Sequence, residues 1–176
     1  MNQHSGKQQN RHIELRTPTE NDMLFIRWLW SDPETMKPVG GSIHMTDEQA
    51  QYWFAEMIKP GSSSDCYRLI INEKGEPVGE ISFHHLNSVS MAADFNIKIA
   101  STKRGNGYAK KAMLLFLDFF FNQVGGHIMI DDVALDNHRG QHILRNFGFE
   151  HDSQVDDVCR LFLTRERFNS LYGRRV

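Results

Sequence analysis

A mixed α/β fold is predicted by three features of this sequence. Short β-rich runs alternate with amphipathic helical segments, no stretch repeats, and 176 residues suffice for one hydrophobic core rather than two. Hydrophobic residues make up 40% and charged residues 24% of the chain, a composition of folded domains rather than disordered segments.

The elements follow in order. Residues 13–16 read as a short strand. Thr19, with Asp22 three residues on, resembles a capping box, and Leu24, Phe25, Trp28 and Leu29 continue at helical spacing. Residues 31–45, polar and Gly-rich, read as a loop. Thr46 and Gln49 repeat the capping arrangement ahead of Ala50, Trp53, Phe54, Met57 and Ile58, the apolar face of a second helix that Lys59, Pro60 and Gly61 end. Trp28 and Trp53 at this spacing read as core residues.

Residues 67–71 and 78–84 are β-rich runs whose polar connection, residues 72–77, suits a hairpin. A turn at Asn87 and Ser88 leads to residues 93–99, where Ala93, Phe95, Ile97 and Ile99 alternate with Asp94, Asn96 and Lys98. That pattern predicts a strand with one face on the core and the other half-exposed. Beyond the segment STKRGNGYAKK, the residues Ala109, Ala112, Met113, Phe116, Leu117 and Phe120 recur at helical spacing until Gly125 and Gly126 stop them. Residues 128–133 give another strand, 137–146 a short helix, Gly148 and Phe149 a turn, and 159–163 a last strand before a small terminal helix.

Several function classes are disfavoured. A formal net charge of −2 offers no basic excess for holding nucleic acid by its phosphates. The most apolar stretch, residues 112–121, is interrupted by Asp118 and falls well short of the ~20 residues needed to span a bilayer. The leader MNQHSGKQQN lacks the apolar run of a secretory signal, so residues 1–11 are expected to be a disordered polar leader, residues 12–176 a single domain, and the protein cytoplasmic. Cys66 and Cys159, distant in sequence and in apolar surroundings, read as buried free thiols. His84 and His85 are adjacent on a predicted strand, so they should point to opposite faces, a poor arrangement for a shared metal.

The chemistry centres on Arg104-Gly105-Asn106-Gly107-Tyr108-Ala109, between a predicted strand and a predicted helix. A helix start presents unpaired backbone N–H groups and a favourable dipole to an anion, and glycines let a phosphate approach closely. A Walker loop would need a Gly-Lys-Ser/Thr triplet, which is missing, and a dinucleotide fingerprint counted from Gly105 would place Lys110 at its third small position. A plain strand-to-helix turn is the bland alternative.

The pattern that fits is Arg/Gln-x-x-Gly-x-Gly/Ala, with Arg104, Gly107 and Ala109 in its three places. It is similar to the pyrophosphate loop of the GNAT superfamily. The stretch ADFNIKIASTKRGNGYA resembles the strand-loop-helix core of that superfamily's ribosomal-protein and spermidine acetyltransferases, and Asn137 followed by Gly148-Phe149 looks like its N-x(10)-G-F segment. The element order matches from about Ile13 to Leu163. The resemblance implies an α+β GNAT fold, a central, mixed, mostly antiparallel twisted sheet flanked by helices. It also implies an acetyl-CoA-dependent N-acetyltransferase acting on a primary amine of a small molecule or a protein N-terminus, by direct attack in a ternary complex. Acetyl-CoA would be the co-substrate, with no metal. Ile97, Lys98 and Ile99 would meet the pantetheine arm through their strand backbone, Arg104, Gly105, Asn106, Gly107, Tyr108 and Ala109 would wrap the pyrophosphate, and Asn137 would approach the pantetheine or the thioester.

An amine with a pKa near ~10.4 is mostly protonated at neutral pH and cannot attack until a proton leaves. The resemblance makes Asp94 the first candidate base and Glu80, on the preceding strand, the second; solvated strand-face charges are the competing reading of both. The family's frequent general acid, a tyrosine seven residues after the asparagine, is here Leu144, expected to pack rather than to react. The segment 31–45 borders the acceptor site in that family, so it is expected to select the acceptor. A catalytically idle acyl-CoA-binding module that regulates a partner is the alternative function. The expected partner is a small-molecule or peptide amine, neither nucleic acid nor membrane, with a homodimer left open.

Overall fold

The computed structural model describes residues 12–58 and 63–173. The leader expected over residues 1–11 and the helix stop at Lys59-Pro60-Gly61 lie outside the described residues.

Among the described residues seven strands form one sheet: β1 (Ile13–Arg16), β2 (Cys66–Asn72), β3 (Pro77–His84), β4 (Ala92–Ile99), β5 (Ile128–Ala134), β6 (Glu150–Val155) and β7 (Val158–Thr164), in spatial order β1-β2-β3-β4-β5-β7-β6. All neighbours are antiparallel except β4 and β5, which run parallel. The sheet is thus mixed and mostly antiparallel, as the resemblance implied. Strand β6 is an addition to the sequence reading. Its residues EHDSQV are too polar to show a strand pattern, and β6 forms as an edge because β7 offers it a free ladder.

Among the described residues the α-helices are α1 (Met23–Ser31), α2 (Pro33–Met36), α3 (Asp47–Met57), α4 (Tyr108–Asp118), α5 (His138–Phe147) and α6 (Arg165–Tyr172). Alternation along the strands divides their side chains between two apolar layers. On the back, Ala112, Met113, Phe116, Leu117 and Phe120 of α4 and its extension pack with Leu144 and Phe147 of α5 and Phe168 of α6 against Ile81, Phe83, Ala93, Phe95, Met129, Leu161 and Leu163. On the front, Ile26 of α1 meets Tyr67, Leu69 and Ile71, with Trp53 of α3 packed beside them. Cys66 and Cys159 are both buried free thiols.

Three local expectations need correction. In α1 the fully buried residues are Ile26 and Leu29, whereas Leu24 is 79% and Trp28 44% exposed, so Trp28 is not core. The helix is short and meets the sheet along a stripe displaced from the one its spacing suggested. The segment 31–45 is not all loop: Asp32 caps α2 by accepting a 3.0 Å bond from the Thr35 N–H, and a 3-10 turn, Lys37–Val39, follows. Helix α4 does not run straight to Gly125 but widens into a π-turn over Phe119–Val124, closed by Gly125 at φ 86°. The first capping box does form. The Thr19 N–H donates to Asp22 at 2.7 Å, and Arg16 forks onto the same carboxylate at 2.7 and 2.8 Å, holding it down to a pKa of about 2.

Candidate active site

The site begins where the two parallel strands part. Strand β4 is paired to β3 from Asp94 to Ile99, and β5 to β7 along its whole length, but β4 and β5 pair with each other only from Ala92↔Ile128 to Asp94↔Ile130. Past Asp94 a wedge opens between them. The Ala100 N–H donates to Val78 of β3 at 2.9 Å, so even-numbered residues of β4 turn their backbone toward β3. Phe95, Ile97 and Ile99, of the opposite parity, turn theirs toward the wedge, and Ile99 O there accepts from Arg104 Nε at 3.3 Å. A chain-like ligand with amide groups can add to that edge as a strand would.

The loop closing the wide end has the form expected of an anion cradle. Gly105 and Gly107 hold φ of 80° and 79°, a left-handed conformation costly for any other residue, and Gly107 is the N-cap of α4. A Cβ at either position would meet nothing within 4 Å, so open space lies in front of the helix start. The other residues of the loop turn inward. Arg104 spends its guanidinium on the carbonyls of Glu34 and Thr35, at 3.1 and 3.0 Å, and burial together with nearby Arg139 lowers its pKa. Asn106 donates to the carbonyls of Lys103 and Arg104, and Tyr108 is buried in the core. Ala109 follows in the first turn of α4. The cradle is therefore backbone, while Arg104 ties it to α2. Asn137, across the wedge, caps α5 by accepting from the Gly140 N–H at 2.9 Å and donates to Pro38 O at 3.2 Å, joining the 3-10 turn to the far wall.

In front of β3 and β4 lies a cavity of about 250 Å³. Its apolar walls come from Trp30, Met36, Val39, Ile43, Trp53 and Tyr67, and its polar floor from Glu80, Ser82, His84, Asn96 and Lys98. Three of these, Met36, Val39 and Ile43, belong to the segment 31–45. The half-exposed face expected for β4 is thus partly covered, and Lys98 is buried. Its ammonium donates to Glu80 Oε1 at 2.6 Å and lies 5.5 Å from the centre of the Trp30 ring. Glu80 Oε2 accepts from Trp30 Nε1 at 2.8 Å and from the Tyr67 hydroxyl. Burial first, and the Glu80 charge second, push the Tyr67 phenol well above its ordinary pKa. Trp53, read from sequence as core, stacks edge-on between Trp30 and Tyr67 in the cavity wall.

At the narrow end of the wedge stand the histidines. The sequence places His84 and His85 on opposite faces, but His85 takes φ of 54°, which breaks the alternation and leaves the ring centres 6.2 Å apart. His85 Nδ1 lies 2.8 Å from Asp94 Oδ2 on the exposed surface, and that contact raises the His85 pKa. His84 faces the cavity, with Nε2 2.9 Å from Ser82 Oγ and Nδ1 3.2 Å from Asp65 Oδ1. On the β5 side, half-buried Asp131 follows the last parallel pair. Burial chiefly, then Asp132 and Asp94 against the opposing pull of Lys98, push its carboxyl up to about 8.

Of the residues singled out in the sequence, Ile97, Ile99, Arg104, Gly105, Gly107 and Asn137 surround the wedge. Lys98 and Glu80 meet in the cavity, whereas Asp94 does not line it and is 59% exposed beside His85. Sequence reasoning missed Trp30, Tyr67, Ser82, Asp65 and Asp131. The period-2 alternation of β3 does place Ser82 and His84 on one face with Glu80, and that was the available signal.

Solved structures resemble this fold. Spermidine N-acetyltransferase from Vibrio cholerae, in complex with CoA and spermine, superposes with a TM-score of 0.80 at 19% identity, covering 89% of this chain and 97% of that one. The Vibrio cholerae spermidine/spermine N-acetyltransferase in complex with manganese ions gives 0.74 at 19% identity, covering 90% and 96%. In sequence, the spermidine N(1)-acetyltransferase of Vibrio cholerae serotype O1 is 21% identical over 181 residues, 90% of this chain and 96% of its own length. The family model of the acetyltransferase (GNAT) domain matches residues 12–150, and this chain belongs to that family of acetyltransferases.

Proposed function

We propose that the protein acetylates a small-molecule amine by direct attack, with the acetyl-CoA thioester reached from the wedge and the amine seated in the front cavity. The observation that carries this reading is their adjacency: Asn96 lines the cavity two residues past Asp94, where β4 leaves β5. The donor supplies an activated acyl carbon; the protein supplies position. Ile97 and Ile99 offer backbone groups to the pantetheine arm, the turn at Gly105 and Gly107 takes the pyrophosphate on the α4 N-terminus, and backbone N–H groups at the wedge stabilise the developing oxyanion.

The cavity also favours one kind of acceptor. Beside the Tyr67 phenol, its titratable lining residues are Glu80, His84 and Lys98, and the Glu80 carboxylate is already matched by Lys98. A linear polycation would find no surplus negative charge on this floor and would meet the Lys98 ammonium. Three aromatic walls instead suit an amine with one positive charge on a compact apolar or aromatic body. Because both Glu80 oxygens already hold buried donors, Glu80 fixes the cavity floor, and the proton leaves the amine at the Asp94 end of the cavity.

Initial rates of CoA release across arylalkylamines, alkylamines, polyamines, amino acids and peptide N-termini test the assignment. Turnover of aromatic monoamines at least about tenfold above spermidine in kcat/KM, a barrier difference of ~1.4 kcal/mol, is the expected outcome. Preferred turnover of polyamines rejects the charge argument. Binding of acetyl-CoA with no turnover of any amine favours an acyl-CoA-binding module instead.

A further inference from the structure

We infer that His84, oriented by Asp65 and reached through Ser82, is the base that accepts the proton of the amine; this rests on the acetyl-transfer reading above. Ser82, His84 and Asp65 form a continuous chain of contacts from the cavity floor outward, at 2.9 and 3.2 Å. Ser82 pairs directly with Asn96 across the sheet, and His84 with Asp94, so the chain lies beside the point where the wedge opens. Asp65 is itself fixed: its Oδ2 accepts from Ser64 Oγ at 2.7 Å, and its Oδ1 accepts from the His85 backbone N–H at 3.2 Å. A carboxylate against Nδ1 selects the tautomer with hydrogen on Nδ1 and leaves the Nε2 lone pair for Ser82 Oγ–H. Side-chain exposures of 24% for His84 and 17% for Asp65 leave the pair enclosed yet reachable from the cavity. The competing carboxylates are placed less well: Glu80 is saturated by donors, and Asp94 is an exposed partner of His85.

The proton count closes. The ammonium passes one proton to Ser82 Oγ as the Ser82 proton moves to His84 Nε2, and the resulting imidazolium is held by Asp65. The freed nitrogen pair forms the N–C bond while the C–S bond breaks, the bonding pair leaving on sulfur. The second nitrogen proton ends on that sulfur, and His84 returns its proton to solvent. The charged groups around His84 are Asp65 from the segment before β2, His85 and Asp94 beside it, and Glu80 and Lys98 deeper in the cavity.

The test uses the full chain and the best amine of the panel. His84→Ala is expected to lower kcat by about 100- to 10,000-fold, to remove the acidic limb of the kcat/KM pH profile, and to keep thermal protection by acetyl-CoA. Added imidazole should restore part of the rate. Asp65→Asn, which keeps a hydrogen-bonding group but removes the charge that holds the imidazolium, should lower kcat while acetyl-CoA protection is kept. Ser82→Ala should slow kcat while leaving that limb in place. His84→Gln replaces His84→Ala if the alanine variant fails to fold. Rates within about threefold of wild type in folded His84 variants, or an unmoved acidic limb, overturn the inference while the acetyl-transfer reading stands. A wild-type protein silent toward every amine overturns both.

Discussion

The ammonium of Lys98 lies 2.6 Å from Glu80 Oε1, with the two side chains 7% and 1% exposed. An ion pair so enclosed adds little net stability, because desolvation offsets its Coulomb gain, but breaking it strands a buried charge. Glu80→Gln is therefore expected to cost about 3–5 kcal/mol, whereas Glu80→Gln combined with Lys98→Met should recover much of that loss. Chemical denaturation of the two variants measures the difference. A single variant as stable as wild type would mean that Lys98 escapes to water.

Gly107 separates backbone strain from anion binding. The φ of 79° makes Gly107→Ala cost about 1–2 kcal/mol, with nothing near its Cβ to add a clash. Gly107→Glu adds negative charge where the pyrophosphate is proposed to sit. Thermal-shift measurements should show acetyl-CoA protection weakened in the first and abolished in the second. Full protection in a folded Gly107→Glu variant would reject the loop as the anion site.

Leu144, in the place of the family's tyrosine, is 4% exposed and packed in the back core. Leu144→Ala should cost about 2–5 kcal/mol of stability. Measured where the variant remains folded, its rate constant per folded molecule should stay within about tenfold of wild type, a barrier change under ~1.4 kcal/mol. A larger loss with acetyl-CoA affinity intact would give this position a part in the transition state.

Asp131 sets a pH dependence of stability. Its folded pKa of about 8 lies above the ~3.9 of an unfolded aspartate, so the folded state keeps a proton that the unfolded state releases. The contribution is complete below about pH 4 and is lost as pH rises toward about 8. Asp131→Asn, which cannot ionise, should raise the melting temperature at pH 8 and change it far less at pH 4. Equal shifts at both pH values would show that Asp131 is ionised in the folded protein.

Local patterns in the chain encode several of its elements directly. The Thr46–Gln49 capping box and the glycine turn before α4 depend on residues a few positions apart, and their structures follow the patterns, while the alternation of β4 holds from Ala93 to Phe95 and gives way at the buried Lys98. Leu144, expected to pack rather than to react, lies in the core. What covers each face depends on long-range packing. Strand β6 needed β7 as a template, and Lys98 is buried because Glu80, Trp30 and Tyr67, from three other elements, converge on it. His84 needed Asp65 from outside the sheet, and His85 left the alternation through one positive φ. Periodicity fixes the direction of a side chain relative to its own strand, but the group it meets is set by chain segments whose approach depends on the packing of the whole domain.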